Sequence, residues 1–176
     1  MTAWSNFYLT TGSAAAALTG LMFVVVTLSA GRERARRSPE GISTFSTPNV
    51  LHFSAALLAS LILMAPWRQM LYPTVLLGLT GLYGVVHILR VAYMTSRLTA
   101  YRADIEDWTW YTIVPFIAYA SILAGAIMLS TPVEALFVLA AGIVLLIFTG
   151  IHNAWDVVTY LVIHFGETLD SDSQES

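Results

Sequence analysis

Cysteine is absent from the 176 residues, and so is lysine. The first absence excludes disulfides, thiolate metal sites, iron–sulfur ligation and cysteine nucleophiles. The second excludes a Walker phosphate loop, a Schiff-base lysine and a lysine-linked retinal. Charge is scarce as well. Only 11% of the residues are charged, where a soluble domain carries about 25%. That excludes an ordinary soluble domain, a disordered chain and a coiled coil. The net charge is −3 and no basic face is present, so nucleic acid is not expected as a partner. What is there is apolar: 57% of the residues are hydrophobic, and the mean hydropathy is +0.71.

A helix that crosses about 30 Å of hydrocarbon needs ~20 mostly apolar residues. Five segments qualify: about 7–30, 48–65, 73–93, 108–129 and 132–163. They are too long for barrel strands and lack period-2 alternation. The expected fold is all-α, a polytopic membrane protein built as a bundle of five transmembrane helices. Residues 1–166 form the membrane domain, and 167–176 form a disordered acidic cytoplasmic tail. Thr47-Pro48 and Thr131-Pro132 read as N-caps followed by Pro at the first helical position. Glu134 completes a capping box with Thr131. Pro115 cannot bond the Tyr111 carbonyl and should kink the fourth helix there.

Orientation follows from arginine. Arg32, Arg34, Arg36 and Arg37 follow the first segment, Arg90, Arg97 and Arg102 surround the end of the third, and Arg68 alone lies on the other side. The positive-inside rule then puts the N-terminus outside and the C-terminus in the cytoplasm. Trp4 and Trp67 fall at the outer boundary, and Trp108, Trp110 and Trp155 at the inner one. The first segment has no basic n-region and too long an apolar run for a signal peptide, so it reads as a retained helix. The stretch from Arg32 to Arg37 (RERARR) sets topology and can also meet anionic lipid.

Three stretches carry a resemblance. They are Phe7 to Val26 (FYLTTGSAAAALTGLMFVVV), Glu106 to Ala120 (EDWTWYTIVPFIAYA) and Gly150 to Tyr160 (GIHNAWDVVTY). With their spacing, they resemble a family of small bacterial multi-span membrane proteins to which no activity is assigned. The resemblance implies a bacterial cytoplasmic membrane and no catalytic residues.

Ionisable side chains inside spans are costly and mark sites by default. Here they are His52, His87, His152 and Asp156, with Arg90 close by. All fall at similar depth in the cytoplasmic half. Thr149, His152, Asn153, Asp156 and Tyr160 share one helical face. His152 and Asp156, four apart, can ligate one cation, or Asp156 can orient the imidazole. A metal set of His52, His87, His152 and Asp156 suits a divalent transition metal, and two facing histidines can instead hold haem. The alternative for these residues is local bonding to carbonyls or headgroups. A buried Asp156 would pair with Arg90. Gly12, Ala16 and Gly20 form a small-residue stripe for helix packing, within one subunit or between subunits.

No Ser-His-Asp order with strand–turn–helix context is present, so no hydrolase triad is expected; metal-assisted hydrolysis by the His and Asp residues stays open, with nothing to select a substrate. Three functions stay open at this point. One is a metal-binding or proton-relaying His/Asp cluster. Another is a structural or accessory subunit, partnered by a second membrane protein or by copies of itself. The third is an oligomeric ion channel or small-solute transporter.

Overall fold

A computed structural model of the chain describes residues 2–36, 42–96 and 105–174. The elements are α1 (Thr2–Arg36), α2 (Ile42–Met64), α3 (Leu71–Ser96), α4 (Ile105–Trp108), a π-helical segment (Thr109–Ile113), α5 (Val114–Ile127), a 3₁₀ turn (Met128–Ser130) and α6 (Pro132–Gln174). The short α4, the π segment and α5 continue as one rod. The all-α reading holds, and the rods number five.

They pack in the order α1, α2, α6, α5, α3, each against the next. Tyr8 donates its hydroxyl to the Leu136 carbonyl at 2.9 Å, tying the start of α1 to the start of α6. The Thr11 and Ser60 hydroxyls, 3.2 Å apart, tie α1 to the far end of α2. The core between the rods is rich in small residues. Ala15, Ala55, Ala56, Ala59, Ala118, Ala126 and Ala135 are all buried. Lipid gives little hydrophobic drive for helices to associate, so close van der Waals approach has to supply it. A Cβ added at Gly142 would lie 2.8 Å from the Ala118 carbonyl oxygen, which shows how near α5 and α6 come. The outward faces carry large apolar side chains such as Leu21, Phe23, Leu79, Leu82, Ile117 and Phe148, as a lipid-facing surface requires.

The expectation of five spanning helices needs correction. Among the described residues, four helices are long and apolar enough to cross a membrane: Trp4–Thr27, Leu71–Met94, Thr109–Ser130 and Val133–Asp156. The apolar part of α2, Asn49–Met64, falls short. It covers about 24 Å at 1.5 Å per residue, against about 30 Å of hydrocarbon. It also holds buried polar side chains, Asn49, His52 and Ser60. They face the interior, where α2 lies between α1 and α6.

Local signals divide in the same way. Pro132 does open α6, and the Thr131 carbonyl accepts from the Ala135 N–H at 3.1 Å. The Thr131 hydroxyl, however, donates back to Met128 at 3.0 Å instead of capping the helix. Pro48 does not open α2, which begins at Ile42. Helix α6 runs on to Gln174, where a disordered tail was expected from residue 167. Extending an existing helix avoids the nucleation cost that an isolated polar stretch faces. Arg32, Arg34 and Arg36 fall within the last turns of α1. Arg37, Arg97 and Arg102 lie outside the described residues.

Candidate functional site

Two histidine environments emerge, one inside the bundle and one at its end. The inner one joins α2 to α5. His52 and Tyr119 are each 1% exposed, and His52 Nδ1 lies 3.0 Å from the Tyr119 hydroxyl. Gly84 of α3 makes room for this pair, because an added Cβ would overlap the Tyr119 ring. A buried tyrosine needs a partner for its hydroxyl, and the imidazole supplies one. His87, on α3, is half-buried and stacks its ring on Tyr83, with centroids 6.2 Å apart.

The end site is built by a helix defect. Pro115 has no N–H for the Tyr111 carbonyl, and its ring crowds that turn. The rod answers by opening one turn earlier. The Val114 N–H reaches back to the Thr109 carbonyl across the π segment. Such π turns re-aim side chains. Here Trp110 stacks on His152 of α6, with centroids 4.0 Å apart and planes 9° apart. Asp156, one turn on, places a carboxylate oxygen 3.3 Å from His152 Nδ1. That approach is close but not aligned as a hydrogen bond. Glu106 of α4 places an oxygen 3.9 Å from Nε2. The ring therefore has an aromatic face on one side and a carboxylate near each nitrogen.

The residues expected to gather at one metal site do not do so. Asp156 meets His152, whereas His52 meets Tyr119 and His87 meets Tyr83. Among the described residues, no group of three His, Cys, Asp or Glu side chains converges to hold a metal ion. The buried Arg90–Asp156 pair is also corrected, since both side chains are exposed. In the packing order α5 lies between α3, which carries Arg90, and α6, which carries Asp156. The face expected to carry Thr149, Asn153 and Asp156 together is split by depth: the first two are buried and the third is exposed. The Tyr160 side chain lies outside the described residues. The small-residue stripe is split too. Gly12 is buried against Ser60, its added Cβ falling 3.1 Å from Ser60 Cβ. Ala16 and Gly20 are exposed, and Gly20 faces open space.

Trp110, Tyr119 and Asn49 did not stand out as site residues in the sequence. Trp110 read as a belt residue and Tyr119 as part of an apolar run. Asn49 followed an expected N-cap. The available signal for Trp110 was Pro115, which marks the turn that aims Trp110 at His152. Taken together, the apolar spans, the lipid-facing surface and the buried polar interior define a multi-pass helical membrane protein. No protein-family model, curated protein or solved structure matches the chain significantly.

Proposed function

We propose that this protein passes protons through His152, and that the His152 end of the bundle faces the cytoplasm of a bacterial cell. One observation carries the reading: a carboxylate lies near each nitrogen of an imidazole that stacks on Trp110. Imidazole changes charge near neutral pH. The protonated ring finds an acceptor at either nitrogen and an aromatic face beneath it. A metal ion needs its ligands to converge on one point, whereas Asp156 and Glu106 address opposite nitrogens. The cytoplasmic placement rests on the arginine count, and the bacterial one on the family resemblance.

The test is proton flux into liposomes that hold a trapped pH-sensitive dye, driven by a potassium diffusion potential. Wild-type protein should exceed protein-free liposomes, and His152→Ala should lower the excess at least ten-fold, an order-of-magnitude expectation for losing a relay group. Flux equal to that of protein-free liposomes overturns the reading. Impermeant maleimide should label Ser5→Cys from outside intact cells; labelling only after lysis reverses the orientation.

A second reading, an accessory or oligomeric subunit, is favoured by the surface position of Ala16 and Gly20. Small residues on a lipid-facing helix allow another helix to approach closely.

A further inference from the structure

Asn49 and Asn153 are both fully buried, and neither carboxamide has a hydrogen-bond partner at its nitrogen or its oxygen. Buried polar atoms are nearly always satisfied, so each exception asks for an explanation. Two such side chains on packed helices ask for a shared one.

Their places can be worked out from the packing. Helices α2 and α6 meet where Phe53 lies against Gly150; a Cβ added at Gly150 would sit 2.5 Å from the Phe53 ring. The helices run in opposite directions, because Ser60, late in α2, and Leu136, early in α6, both bond to the first turns of α1. Asn49 is four residues before Phe53, and Asn153 is three after Gly150. Each spacing keeps the side chain on the face of its contact residue. The antiparallel sense then puts both one turn toward the His152 end. Two unpartnered carboxamides thus enter the same seam at the same level. Among the described residues, the buried polar ones are Asn49, His52, Ser60, Thr149 and Asn153, and none is a carboxylate, Arg or Lys. The occupant is therefore neutral, and it both donates and accepts. A cation would leave the amide N–H groups unpaired, and an anion would leave the carbonyls unpaired.

We infer that ordered water occupies this α2–α6 seam, bound by the carboxamides of Asn49 and Asn153. Water donates two hydrogen bonds and accepts two, which suits a polar interior site of this kind. The functional part of the inference rests on the proton reading of His152. Water here is the step between the His152 end and the buried His52–Tyr119 pair. Each oxygen takes up one proton and releases another, so nothing is consumed.

The test uses full-length protein, labelled with ¹⁵N-asparagine, in lipid nanodiscs. The side-chain NH₂ groups of Asn49 and Asn153, assigned through single Asn→Gln variants, should show exchange or dipolar cross-peaks with water. Cross-peaks only to protein protons mean that the amides pair directly, and they overturn the inference. Shifts that saturate with sodium mean a cation site, and they overturn it as well. The double variant Asn49→Leu/Asn153→Leu should lose at least ten-fold in liposome flux while Trp110→Phe difference fluorescence still reports the His152 stack. Unchanged flux in that variant overturns the water step. The two claims fail separately: water cross-peaks without any wild-type flux uphold the hydrated seam and sink the proton reading, and flux without cross-peaks does the reverse.

Discussion

His52 and His152 are one side chain in two solvents. His52 lies inside the bundle, 1% exposed, and faces one neutral partner, the Tyr119 hydroxyl. His152 lies at the end, with its side chain 27% exposed, and faces Asp156, Glu106 and the Trp110 ring. In the interior, loss of a partner leaves a polar group with nothing to bond, and that is expensive. At the end, water and headgroups replace a lost partner, so the same charges matter little for stability. Burial, and not residue type, decides which histidine holds the fold together and which is free to do chemistry.

The comparison breaks most visibly at Tyr119. Tyr119→Ala removes a buried ring packed between α2 and α3, and should cost about 3–5 kcal/mol. Tyr119→Phe keeps the ring and removes only the partner of His52, at about 1–3 kcal/mol. Thermal melts in mild detergent measure both. A Tyr119→Phe melt equal to wild type would show that the hydroxyl carries none of the stability.

The small-residue stripe gives a middle-sized test. Gly12 is in contact with Ser60, whereas Gly20 has open space beside it. Gly12→Leu should destabilise the bundle by about 1–3 kcal/mol through overpacking. Gly20→Leu should leave the melt within about 0.5 kcal/mol of wild type. A change of particle size in detergent for Gly20→Leu would place that face against a second chain and raise the accessory reading above the proton reading.

A small effect is expected at Asp156 as well. As a member of a buried pair it would cost about 3–5 kcal/mol to remove. Its carboxylate is instead 45% exposed beside His152. Asp156→Ala should therefore shift stability by less than about 1 kcal/mol. A loss comparable with that of Tyr119→Ala would put Asp156 in the interior and erase the distinction between the two sites.

Much of the architecture was legible one helix at a time. Long apolar runs name the spanning rods, because hydrocarbon thickness sets a minimum length that one segment must meet alone. Pro115 announced a local distortion of the helix, because a missing N–H is a local fact. The His152–Asp156 contact was legible too, since both residues lie on α6 one turn apart. The status of α2 was not. Its polar residues look unsuited to lipid or tolerated by it, according to what packs around them, and the packing is not written in the segment.

Amino-acid order by itself determined a multi-pass helical membrane protein and named the ionisable residues within its spans. That follows from hydropathy, length and covalent geometry, all of which act within a helix. Only tertiary structure decided the partners. It gave His52 to Tyr119, Trp110 to His152 and Gly12 to Ser60, turned Arg90 and Asp156 outward, and buried Asn49 and Asn153. The physical reason is that the neighbours of a helix, and the face it turns to them, are set between helices and not within one. Two residues at the same depth on different helices meet only if each helix turns the right face inward, and that angle is set jointly by every close-packed contact in the bundle.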